Sequence, residues 1–119
     1  MRLEITATAY QDLNDIEAYT LGVWGAKQAE KYLDALYAAM DRIMEDPLHL
    51  LKSDDRISAH LVFYRVEKHF IFCDVTEDRV SVLTIQHAAR DLPARIAELE
   101  TSLPTEAEML HKKVCTAVI

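Results

Sequence analysis

Residues 8–46 read TAYQDLNDIEAYTLGVWGAKQAEKYLDALYAAMDRIMED, and the spacing of their apolar side chains decides the fold. Ala9, Leu13, Ile16, Thr20 and Val23 recur at intervals of four, three, four and three, while Asp12, Asp15 and Glu17 face away. This pattern predicts an amphipathic helix capped near Thr8 and ending at Gly22. A second, longer helix follows Gly25. Ala29, Leu33, Leu36, Met40 and Ile43 make its apolar stripe, and Lys27, Lys31, Asp34 and Arg42 lie mostly off it. Pro47 ends it, because the residue before a proline is pushed out of helical geometry. A linker this short makes the pair an antiparallel hairpin.

Outward from the hairpin, residues 2–7 (RLEITA) alternate as a half-buried first strand. Residues 48–55 read as a loop with a turn at Ser53-Asp54-Asp55. Three β-rich runs follow at 56–66, 69–75 and 79–87, separated by Glu67-Lys68 and Thr76-Glu77-Asp78, lengths that suit hairpins. After His87 the pattern is helical again, with Leu92, Ile96 and Leu99 in phase and Pro93 tolerated in the first turn. The expected fold class is α+β, in two layers: a helical hairpin on an antiparallel sheet of about four strands, with a C-terminal helix. Residues 1–100 form the domain, and 101–119 an extension, helical from Pro104 with an apolar end. The hairpin covers one sheet face and leaves the other open, where Tyr64, Phe70 and Phe72 would form an apolar patch that binds another chain.

The chain has 119 residues, half of them hydrophobic, and 20 acids against 13 bases give a formal charge of −7. That length suits one domain and falls short of the roughly 250 residues of a (β/α)₈ barrel. The two glycines, Gly22 and Gly25, bracket Val23 and Trp24 with no Lys-Ser/Thr behind them. A phosphate-binding loop needs glycines at other offsets, so no nucleotide cofactor is expected. Cys73 and Cys115 are the only cysteines and no charged-then-apolar leader opens the chain, so neither a disulfide framework nor secretion is indicated. No apolar run approaches the ~18 residues of a membrane span. The expected location is cytoplasmic.

Charge is unevenly divided. Residues 10–46 hold eight acids and three bases, 47–90 six of each, and 91–119 five acids and three bases. The acidic excess therefore belongs to the helical layer and the extension, as on a solvated face. It argues against direct nucleic-acid binding, whose affinity comes from Lys and Arg displacing counterions. The cations gather in the sheet region, at Lys52, Arg56, Arg65, Lys68, Arg79 and Arg90.

The stretch DLNDIEAYTLGVWGAKQAEKYLDAL, residues 12–36, resembles the helical hairpin of the ParE branch of the RelE/ParE toxin superfamily, the plasmid stabilisation proteins. The residues that carry the resemblance are Asp12-Leu13, Ile16, Tyr19, Trp24-Gly25, Gln28-Ala29 and Tyr32. Pro47, a strand opening with His69, and Ile85-Gln86-His87 with Asp91 four residues on agree in register. The resemblance covers about residues 1–95. It implies a toxin of a type II toxin–antitoxin pair, held inactive by a cognate antitoxin and acting by binding a protein target such as DNA gyrase. For the RelE branch the implied activity is ribosome-dependent mRNA cleavage, and a family member without toxicity, serving as a binding module, is a third reading. The chain departs from the family in having Cys73-Asp74 where a Tyr-Arg pair is common, in its acidity, and in its C-terminal extension.

An RNase needs a base for the 2′-hydroxyl, an acid for the leaving group and cations on the phosphate. His87 with Arg65 or Arg56 is the candidate set here, and it lacks a C-terminal tyrosine. The alternative for His87 is a strand-end histidine bonded to Asp91 or a backbone carbonyl, with Asp91 fixing the start of the last helix. Partner contacts are expected of Arg56, Tyr64, Arg65, Phe70, Phe72 and Arg90. Trp24 is expected to lock the two helices together. Cys73, His69, His60 and Asp74 lack metal-ligand spacing, so no metal is expected. Residues 104–119 are expected to pack on the open sheet face or to form a homodimer contact.

Overall fold

The computed structural model describes residues 2–99, apart from the side chains of Ala59 and His60. Its elements are β1 (Arg2–Ile5), α1 (Ala7–Trp24), α2 (Ala26–Glu45), α3 (Pro47–Leu50), β2 (Lys52–Asp54), β3 (Ser58–Val66), β4 (His69–Val75), β5 (Arg79–His87) and α4 (Leu92–Leu99). The sheet has five strands in the order β1-β5-β4-β3-β2. β1 runs parallel to β5, with Leu3 beside Val80 and Glu4 beside Ser81, and the other pairs are antiparallel. The α+β class is as expected, but the sheet has one strand more and is mixed rather than antiparallel, and α4 adds a layer on its second face. The expected extension, 101–119, lies outside the described residues.

α1 starts two residues earlier than its pattern indicates, because Thr6 is pinned from both sides. Its buried hydroxyl accepts the Ala9 N–H at 3.2 Å and donates to the Leu83 carbonyl at 2.9 Å, so the cap also ties the helix to β5. The helix then passes through Gly22 and stops at Gly25. Gly25 has φ 90° and ψ 173°, a conformation essentially reserved to glycine, and its N–H closes on the Leu21 carbonyl. A glycine inside a helix costs only about 1 kcal/mol, so Gly22 does not end α1, whereas the chain reversal needs the backbone of Gly25.

The run 48–55 is not the loop its composition suggests. Pro47 opens the one-turn α3, and β2 follows as an edge strand, with Lys52 opposite Phe63 and Ser53 opposite Val62. Three residues cannot display a two-residue period, which is why β2 escapes a reading by pattern.

Two cores flank the sheet. On one face α1 and α2 bury Leu13, Leu36, Met40 and Ile43 against Ile71, Cys73, Val80, Val82 and Ile85. On the outer face α4 places Leu92 and Ile96 over Leu61, Phe72 and Leu83, with Phe63 and Phe70 at the margin. This corrects the expected open patch. Phe72 is fully buried, Phe70 half-buried beneath α4, and Tyr64 points to the helical side, where it packs on the first core. Alternation along β3 and β4 tells which side chains share a face, but not which later element covers that face. Among the described residues no helix is long and apolar enough to cross a membrane.

Candidate partner-binding groove

Where the helical hairpin overhangs the end of the sheet there is a groove of about 1070 Å³. α1 supplies Asp12, Asp15, Tyr19 and Trp24; α2 supplies Gln28, Lys31 and Tyr32; the β3–β4 turn supplies Glu67, Lys68 and His69; the end of β5 and the loop after it supply His87 and Arg90. Ten of the fifteen residues that carry the family resemblance, among them Asp12, Tyr19, Trp24, Tyr32, His69 and His87, therefore line one groove.

Trp24 does not lock the helices together. It is 66% exposed and Tyr19 67%, with Leu21 and Val23 about half exposed beside them. The buried stripe of α1 is complete at Thr20; the last turn lies at the hairpin tip, where the period continues with no sheet beneath it. Exposed apolar side chains grouped this way mark an interaction surface.

The floor of the groove is tied down by polar contacts. β1 ends at Ile5, so the far half of β5 lacks a neighbouring strand on that side, and Asp12 fills that place. Its Oδ2 accepts the Ile85 N–H at 2.9 Å and the Thr84 hydroxyl. The chain of donors continues from Arg90 Nη1 to Gln86 Oε1 (3.1 Å) and from Gln86 Nε2 to Thr84 Oγ1 (2.7 Å). Burial raises the Asp12 carboxyl above the ordinary Asp value, against the lowering effect of its Thr84 and Ile85 hydrogen bonds.

Beside it, Glu67 takes φ 53° in the two-residue turn, which brings the Lys68 N–H to 3.2 Å from the Tyr32 hydroxyl. That oxygen accepts from Lys68 and so donates to His69 Nδ1, at 2.6 Å. The His69 ring meets His87 edge-on at 5.0 Å between centroids. Burial and the neighbouring His87 lower His69 to about 4, so it is neutral at pH 7. The sign of the pH effect follows: His69 binds its proton more weakly folded than unfolded. Its contribution is complete above pH 6.5 and lost as the pH falls towards 4. Urea titrations across that window are expected to show stability declining in the wild type and a shallower decline in His69→Gln. Equal slopes in both would assign the dependence to other groups.

The ribonuclease candidates are not brought together. His87 shares the helical face with Val66 and His69, whereas Arg65 stands opposite Phe70 on the outer face, its guanidinium 5.5 Å from that ring and its Nε bonded to the Glu67 carbonyl. Arg56 is paired with Asp54, at 2.9 and 3.1 Å, before β3. His87 instead accepts the Ala89 N–H on Nδ1 at 3.0 Å, and Asp91 caps α4 by accepting the Ala94 N–H. Of the expected partner contacts, only Arg90 lines the groove. Trp24, Tyr19, Lys31 and Lys68 were not among them. The signal that could have found them is two aromatic residues in the overhanging last turns of α1. Cys73 is buried, with its thiol pushed up to about 12 by burial, and among the described residues no three His, Cys, Asp or Glu side chains form a metal-binding group.

The comparisons set this fold, a helical hairpin on one face of a five-stranded sheet and α4 on the other, beside chains of toxin–antitoxin systems. The model of the family described as ParE toxin of type II toxin-antitoxin system, parDE, matches residues 3–92. The chain is 32% identical over 97 residues to Toxin ParE of Escherichia coli, covering 79% of this chain and 91% of that protein. Its fold is similar to a chain from the chromosomal ParDE system of P. aeruginosa, with TM-score 0.66 at 16% identity over 73% of this chain and 95% of that one. It is also similar to a chain from the RelBE2 toxin–antitoxin complex of Mycobacterium tuberculosis, with TM-score 0.56 at 18% identity over 72% and 95%. The chain belongs to the ParE family of type II toxins.

Proposed function

We propose that this toxin acts by binding a protein target, DNA gyrase or another, and that a cognate antitoxin silences it by seating an amphipathic segment in the groove, as in a plasmid-stabilising pair. The observation that carries this reading is the pairing of Tyr19 and Trp24, exposed at the rim of a groove whose polar floor is already satisfied within the chain. Aromatic anchors at the mouth of a preformed groove suit protein recognition. The Escherichia coli relative is a ParE toxin, and both similar structures come from toxin–antitoxin systems.

A second reading, ribosome-dependent mRNA cleavage, draws support from Lys31, Lys68 and Arg90 lining the groove with His87. The purified protein is expected to inhibit gyrase supercoiling and to leave ribosome-bound mRNA intact, and His87→Ala is expected to retain growth arrest. No effect on gyrase at micromolar excess, together with mRNA cleavage abolished by His87→Ala, would replace the first reading with the second.

A further inference from the structure

The groove floor beside Asp12 is satisfied within the chain, but the part formed by the β3–β4 turn and the end of β5 carries donors with nothing to accept them. Two backbone bonds build this corner: Ala88 N–H to the Lys68 carbonyl at 2.8 Å, and Arg90 N–H to the His87 carbonyl at 3.1 Å. They set Lys68, His69, His87 and Arg90 together, and Lys31 of α2 lines the same groove. Both imidazoles have a fixed tautomer. Burial raises the Tyr32 hydroxyl above the usual tyrosine value, so it stays protonated and donates to His69 Nδ1 at 2.6 Å. His87 Nδ1 accepts the Ala89 N–H at 3.0 Å. In each neutral ring the hydrogen therefore sits on Nε2, and neither Nε2 meets an acceptor among the described residues. With the rings 5.0 Å apart between centroids, the two Nε2 atoms lie within roughly 7 Å of each other, a span short enough for one carboxylate accepting two hydrogen bonds of about 2.9 Å.

Charge adds to these donors. Lys31, Lys68 and Arg90 are exposed, and none of them makes an ion pair among the described residues. Arg90 spends one guanidinium nitrogen on Gln86, at 3.1 Å, and keeps the rest of its fork free. Glu67, the turn's own carboxylate, is exposed and pairs with none of the three. A cluster of cationic and imidazole N–H groups without an acceptor suits an anion. Which anion follows from the rest of the groove. Asp12 and Asp15 line its α1 side, so a strand of RNA, with a phosphate at every nucleotide, would meet like charge there. A single carboxylate at the corner, flanked by apolar residues that cover Tyr19 and Trp24, avoids those acids.

We propose, on the reading that a protein segment fills the groove, that this segment carries an aspartate or glutamate whose carboxylate accepts from Nε2 of His69 and His87 and pairs with Lys68 and Arg90. To test it, each Asp and Glu of the cognate antitoxin is replaced in turn by Asn or Gln. Binding is then measured to the wild-type toxin and to the toxin carrying Lys68→Gln with Arg90→Gln. One of these replacements is expected to weaken binding about tenfold against the wild type and less than about twofold against the double variant, the mark of a direct pair. In the complex with the unaltered antitoxin, the Nε2 protons of His69 and His87 are expected to be protected from solvent exchange in histidine side-chain NMR spectra, and replacing the same acid is expected to release them. If no acid couples to the corner while Trp24→Ala still weakens binding, the carboxylate is overturned and the groove reading stands. Unchanged binding in Trp24→Ala as well removes both. If the double variant keeps its affinity for the antitoxin and loses affinity for a single-stranded RNA oligonucleotide, RNA is the occupant and the proposal falls.

Discussion

Trp24→Ala is expected to weaken binding of the cognate antitoxin thirtyfold or more, about 2 kcal/mol, while changing the folding free energy by no more than about 0.5 kcal/mol. The two expectations separate because the side chain is 66% exposed at the hairpin tip. The folded protein alone gains little from it, whereas a partner that covers the groove removes its whole ring from water. Tyr19→Ala is expected to behave in the same way, more weakly. Titration calorimetry with the antitoxin and urea denaturation of the free toxin measure the two quantities. A large fall in stability with unchanged binding would return Trp24 to the packing role that its position between two glycines suggests.

Phe72→Ala is expected to do the reverse. The ring is fully buried beneath α4, with the Phe63 and Phe70 rings at 5.5 and 6.2 Å between centroids. Removing a buried phenyl group costs about 3–5 kcal/mol, against a total stability of about 5–15 kcal/mol for a domain of this kind. The urea midpoint is therefore expected to fall sharply with little change in slope. Because Leu92 and Ile96 pack in the same cluster, α4 should loosen first, seen as faster hydrogen exchange over Leu92–Leu99. Were Phe72 instead an exposed partner contact, the midpoint would hold and only binding would suffer.

How far these features can be read without coordinates depends on the distance over which they are decided. The two long helices and three strands are set by side chains three to four, or two, residues apart, and their boundaries follow closely from the chain. Thr6 is an exception, since its capping role is joined to the Leu83 carbonyl seventy-seven positions away. β2 is another, because an edge strand of three residues depends on its partner rather than on its own pattern. The site was less legible. Arg65 and His87 both lie near strand ends, and only the register of β3, β4 and β5 sends them to opposite faces.

Local physics, then, was enough to determine a helical hairpin, a meander, a C-terminal helix and an acidic outer surface, because amphipathic period, turn chemistry and net charge are properties of neighbouring residues. Tertiary structure decided which surfaces remained available. α4 closed over Phe72 and withdrew the outer aromatic patch, and the hairpin overhung the sheet so that Trp24 and Tyr19 stayed in solvent. It also gave Asp12 the place of a missing strand and buried the Glu4 carboxylate 3.9 Å from the Arg79 guanidinium. Each outcome depends on what lies opposite a side chain after long-range packing, and periodicity along the chain carries no information about that.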